Sequence, residues 1–124
     1  ILKRLEVYLN NDAVGMTKDQ YLRMVEQTGE EIDWERCPPE INDFPESVHT
    51  AIEIYTSLGN KVFGDVGYTG KDFTNLELFY KLYSVEEIIE KDWILEIILF
   101  LDTREIKENQ RQLKAELDKA KRKR

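Results

Sequence analysis

Cysteine, histidine and proline are nearly missing: the chain holds one, one and three of them in 124 residues. A single cysteine, Cys37, excludes a disulfide within the chain, so nothing in the composition points to an oxidising compartment. The same scarcity removes the Cys and His pairs of a structural zinc site. Long apolar runs are absent too. The longest, Trp93–Leu101, is broken by Glu96 and falls far short of the ~20 residues that span a bilayer. No membrane association is expected. Ile1-Leu2-Lys3-Arg4 opens no long apolar region and no small-residue cleavage site, so no signal peptide is read there.

Charge is what the sequence has in excess. Charged residues make up 35% of the chain against 41% hydrophobic, and the net charge is −7. Over 114–124 six bases face two acids, a balance of +4, which leaves −11 for the rest. An acidic body repels nucleic acid, whereas a basic tail attracts phosphate or an acidic partner. The apolar residues are clustered, and 124 residues suit one domain that buries roughly two-thirds of its unfolded surface.

Local patterning reads as helices joined by turns. Leu2, Leu5, Tyr8 and Leu9 suit a helical face ending at Asn10-Asn11, although Leu5, Val7 and Leu9 also suit a strand. Gly15 breaks the pattern, and Met16 is readable as a translation start. Thr17-Lys18-Asp19-Gln20 matches a capping box and Gly29 a C-terminal cap, which predicts a helix over 18–28. Residues 30–44 carry two prolines and many acids and form a connection, with Trp34, Cys37, Ile41 and Phe44 as its anchors to the core. Pro45 opens an amphipathic helix with Val48, Ala51, Ile52, Tyr55 and Leu58 on one face, ended by Gly59-Asn60.

Residues 60–73 hold Gly64, Gly67 and Gly70 among Phe63, Tyr68 and Phe73. They predict a folded loop held by aromatic contacts, with room for a short extended pair. Thr74 caps a short helix whose apolar side is Leu76, Phe79, Tyr80 and Tyr83. Ser84-Val85-Glu86-Glu87 reads as a second capping box before a long helix, with a possible kink at Lys91-Asp92. That helix is apolar on nearly every side from Trp93 to Leu101, the pattern of a central buried helix. After Asp102 only one heptad stripe persists, Leu99, Ile106, Leu113 and Ala120, because its companions Asp102, Asn109 and Glu116 are polar. A self-sufficient coiled coil needs two stripes.

The fold class that follows is mainly α: about four to five helices around a central apolar helix at 93–101, with a long polar C-terminal arm. Three segments result, an N-terminal piece at 1–15, a compact helical domain at 16–102 and a charged arm at 103–124.

No constellation for chemistry emerges. His49 lies off the apolar stripe with Glu53 one turn on; a general base needs a positioned partner, and His49 reads as a solvated surface histidine. Arg36 beside Cys37 favours a thiolate, but no base is near in sequence, so Cys37 reads as a small apolar anchor. Gly64–Asp72 has the spacing of a phosphate loop only in part. Asp65 and Asp72 stand where negative charge opposes phosphate, which rejects nucleotide binding. The acids of 30–46 lack the alternation and glycine of a calcium loop. Catalytic, cofactor and metal residues are therefore assigned to none. The remaining candidate site is the arm: Ile106, Leu113 and Leu117 as an apolar edge, with Lys119, Lys121, Arg122, Lys123 and Arg124 as a basic end. Those cations favour a helix C-terminus in themselves, and they also offer phosphate or acidic-protein contact.

Met16–Glu40 (MTKDQYLRMVEQTGEEIDWERCPPE), the loop GYTGKDFTNL at 67–76 and the closing LKAELDKAKRKR resemble small uncharacterised proteins encoded by tailed bacteriophages, particularly marine ones. Residues 1–15 fall outside the resemblance. It implies a viral setting, in the host cytoplasm or the virion, where small helical proteins serve in particle assembly or redirect host machinery. It transfers no functional residue. The expected role is a non-enzymatic phage protein binding a viral or host protein through the arm, with a second copy of itself among the possible partners. The rivals are a nucleic-acid accessory protein using the basic tail and an acidic mimic of nucleic acid.

Overall fold

The computed structural model describes residues 1–122, with the side chains of 11–14 outside the description. It is mainly helical, as the patterning requires. Helices α1 (Leu2–Val14), α2 (Lys18–Thr28), α3 (Glu46–Ser57), α4 (Leu76–Leu82) and α5 (Ile88–Arg122) are joined by one 3-10 turn, Ile41–Asp43. Between α3 and α4 lies an antiparallel pair of strands, β1 (Asn60–Phe63) and β2 (Gly67–Lys71). The backbone divides into two compact units, one from Ile1 to His49 and one from Thr50 onward.

In the first unit, α1 runs past Asn10-Asn11 to Val14, longer than its apolar face indicated. Helix α2 keeps the bounds its caps dictate. Gln20 N–H donates to Thr17 Oγ1 at 3.2 Å, Thr17 N–H donates to Gln20 Oε1 at 3.0 Å, and Gly29 closes the helix at φ 71°. These bonds satisfy end groups that the helix leaves open. Tyr21 and Val25 of α2 enclose Cys37, with Leu22 beside them. Burial pushes the Cys37 thiol pKa up, which suits an apolar anchor.

The acidic connection is pinned mainly by polar groups. Tyr21 Oη accepts from Asp33 N–H and donates to Asp33 O, both at 3.2 Å. Arg4 donates to the carbonyls of Glu35 (3.3 Å) and Cys37 (3.1 Å). Lys18 bonds Asp43 at 2.8 Å. Of the four expected anchors, Cys37 and Phe44 are buried and Ile41 is half-buried, but Trp34 is 62% exposed. The turn at 33–37 is closed by its own backbone bonds, Cys37 N–H to Asp33 O among them, so it holds without the indole.

In the second unit α3 buries Ala51, Ile54, Tyr55 and Leu58; Ile54, at 0% exposure, belongs to the stripe in place of half-buried Ile52. Helix α4 starts after Asn75. Thr74 does not cap it: its hydroxyl and N–H both turn back to Asp72 Oδ1. Ser84 does not cap α5 either. It ends α4 in the left-handed region at φ 58°, with Ser84 N–H bonded to Lys81 O and Val85 N–H to Tyr80 O. That paired arrangement is a Schellman turn, with the apolar residue after it, Val85, buried.

Helix α5 continues without a break through Lys91-Asp92 for 35 residues, about 52 Å. Its apolar stretch is not buried all round. Ile94, Ile97, Ile98 and Leu101 are buried, Trp93, Leu95 and Phe100 are half-buried, and Leu99 is 46% exposed. One face enters the core and the opposite face remains in solvent.

Candidate interaction surface on the C-terminal helix

The glycines of 64–70 bring the hairpin close to α5. Val66 N–H closes a turn onto Phe63 O, and Gly67 follows at φ 78°, the left-handed glycine of a three-residue hairpin loop. The register then slips: Val62 pairs with Tyr68 and Asn60 with Lys71, so Thr69 and Gly70 together oppose Lys61. Such a bulge bends a strand and re-aims its groups. Gly70 sits in it at φ 131°, where a Cβ would meet Asp102 Oδ2 at 3.2 Å and Ile106 Cδ1 at 3.5 Å. A Cβ on Gly67 would meet Asn109 Oδ1 at 3.0 Å. Phe63 does not hold this segment: it is 61% exposed.

What holds it is the polar side of α5. Asp102 is 6% exposed. It accepts Lys71 N–H at 3.2 Å to both carboxylate oxygens, the Tyr55 hydroxyl at 3.4 Å and the Tyr68 hydroxyl. Burial pushes the Tyr55 pKa up to about 12. Burial first, then the bond to Asp102, raises that of Tyr68 as well. Both phenols therefore remain protonated donors at neutral pH. Lys71 is itself buried, its ammonium 3.3 Å from Leu58 O and 4.7 Å from the centre of the Tyr55 ring. A cation there meets both the carbonyl end of α3 and a π face. Two turns along α5, Asn109 Nδ2 donates to Val66 O (3.0 Å) and Tyr68 O (3.3 Å).

Two of the three polar companions that leave the heptad stripe without a partner helix, Asp102 and Asn109, thus have a partner after all, the hairpin. No family model, curated protein or solved structure matches the chain. The surface is therefore read from its own residues.

The hairpin's hydrogen bonds end at Asn109. Gln110–Arg122 adds thirteen residues of α5, on which only Leu113 is half-buried and the others are exposed. The sequence candidates divide at this point. Ile106 is half-buried beside Gly70, whereas Leu117 is 56% exposed and Lys119, Lys121 and Arg122 stand in solvent. Lys123 and Arg124 lie outside the described residues. Reasoning from sequence missed Asp102, Asn109, Tyr55, Tyr68 and Lys71 as the clamp. Its available signal was polar residues at heptad positions together with closely spaced glycines.

The groups considered for chemistry are engaged structurally. His49 Nε2 donates to Phe44 O at 3.1 Å. An open cleft of about 390 Å3 in the first unit, walled by Tyr8, Thr17, Lys18 and Pro38-Pro39, has its lysine paired with Asp43. Among the described residues, no three His, Cys, Asp or Glu side chains gather as metal ligands, and no helix is long and apolar enough to cross a membrane.

Proposed function

We propose that the chain acts without chemistry of its own, as a structural or adaptor component that docks another protein on the free end of α5. The observation carrying this reading is the contrast along one helix. At Asp102 and Asn109 the helix is engaged by the hairpin, and from Gln110 to Arg122 every residue but Leu113 is exposed. A solvent-exposed helix of this length is marginal in water alone, since isolated helices shorter than about 12–15 residues hardly form. A rigid base that projects such a helix supplies a preformed ligand for a groove. The resemblance to tailed-phage proteins makes virion assembly the setting, in the host cytoplasm or the particle itself.

Truncation after Asn109 tests this reading. Cutting there retains every bond from α5 to the hairpin, so the unfolding free energy should change by less than about 1 kcal/mol. Binding partners captured by the full chain, identified by cross-linking and mass spectrometry, should be lost. Partners retained by the truncated chain would refute the arm as the docking element.

The exposed Lys119, Lys121 and Arg122 favour one second reading, contact with nucleic acid. Binding would then weaken steeply with salt as phosphate counterions are released. A labelled duplex that shows no binding at low salt removes it.

A further inference from the structure

One face of α5 is free of both the core and the hairpin along the whole helix. Steps of three and four residues back from Thr103 reach Leu99, Glu96, Asp92 and Ile89. The same steps forward reach Lys107, Gln110, Lys114 and Leu117. All nine positions are exposed, Ile89 at 82%, Leu117 at 56% and Leu99 at 46%. The spacing is a mirror image about Thr103, and its mean of about 3.5 residues is that of a two-helix seam. The charge is not mirrored: acids precede Thr103 on this face and lysines follow it.

From that asymmetry we propose that the docking partner is a second copy of this chain, with the two α5 helices antiparallel about a two-fold axis at Thr103. This rests on the reading of α5 as a docking arm and names its occupant. Two-fold symmetry makes each contact occur twice. Asp92 meets the other copy's Lys114, and Glu96 meets its Gln110, while Leu99 lies along the stem of its Lys107. The most exposed apolar group, Ile89, is covered by Leu117. Beyond the seam, the basic end brings Lys119 opposite Glu87, both exposed. A parallel pair would set Asp92 against Asp92 and Lys114 against Lys114, so charge selects the antiparallel arrangement.

Sedimentation equilibrium of the full chain at low salt should give a dimer that weakens as salt rises. Asp92→Lys and Lys114→Asp, both at exposed positions, each put two like-charge contacts into the pair. Each should weaken self-association about tenfold or more. An equimolar mixture of the two variants should regain the dimer, because both contacts become complementary again. A spin label on Ala115→Cys should report about 36 Å between copies, against roughly 10 Å for a parallel pair. A wild-type chain that stays monomeric at about 1 mM, a concentration sufficient to reveal even a weak pair, overturns the proposal. So does a dimer indifferent to both reversals, or one whose mixture of variants fails to recover. If the chain is monomeric while truncation after Asn109 still abolishes capture of a different protein, self-pairing fails and the docking arm stands.

Discussion

Asp102→Ala should destabilise the protein by about 3–5 kcal/mol in chemical denaturation, since it removes the common acceptor of a buried polar cluster. The carboxylate takes Lys71 N–H and the hydroxyls of Tyr55 and Tyr68. Without it a buried backbone donor and two phenols face one another and a void, each uncompensated donor costing about 1–3 kcal/mol. Asp102→Asn retains the volume but replaces one acceptor oxygen by a donor, so its loss should be smaller, about 1–2 kcal/mol. Amide exchange in β2 should rise most in the alanine variant, where Lys71 N–H loses its acceptor, and less in the asparagine variant, which keeps one acceptor oxygen. A cost below about 1 kcal/mol for the alanine variant would mean that the cluster is solvated, and the account of how α5 grips the hairpin would fail.

Gly70→Ala should cost about 2–3 kcal/mol, and Gly64→Ala almost nothing. The two glycines lie in the same hairpin but differ in physical circumstance. Gly70 has φ 131°, a conformation L side chains rarely adopt, and an added Cβ would press on Asp102 Oδ2 at 3.2 Å. Gly64 has an ordinary φ and nothing within 4 Å of such a Cβ. Equal effects at the two positions would show that the loop tolerates side chains generally and that the bulge does not set the distance to α5. Thermal unfolding of both variants and the wild type decides it.

How much of this was legible in the sequence depended on the range of the forces. Helix α2 was readable to the residue, because a capping box and a left-handed glycine act within four residues of the helix end. Ser84 was misread for the same locality: a serine three residues before Glu87 fits a capping box, but the chain there is still leaving α4, and the Schellman bonds to Lys81 and Tyr80 take precedence. Residue type alone makes Trp34 an anchor, whereas the bonds from Tyr21 and Arg4 order that connection without it. Residue type groups Leu99 with its apolar neighbours, but it stands about 200° around the helix from Ile97 and is 46% exposed. The clamp was least legible. Asp102 and Lys71 are 31 residues apart, and nothing local to either announces the other. The polarity change after Asp102 does not open the free arm at once: Asn109 still holds the hairpin, and the exposed turns begin at Gln110.

The arm is braced at its root by Asp102 and Asn109, which fixes the direction in which the exposed turns project. Preorganised elements lose less entropy on binding than flexible tails, so a stiff root is an advantage for a docking helix. In the proposed pairing the acid-to-base gradient along the same helix would select which surface it meets and in which orientation.

Residue-resolved amide exchange along α5 in dilute solution tests the central division most directly. Protection should be high through Asn109 and should fall steeply from Gln110 to Arg122, returning at high chain concentration as the arm becomes covered. Uniform protection from Ile94 to Arg122 in dilute, monomeric protein would contradict the account, because the arm would then be held by its own chain with no free face to offer.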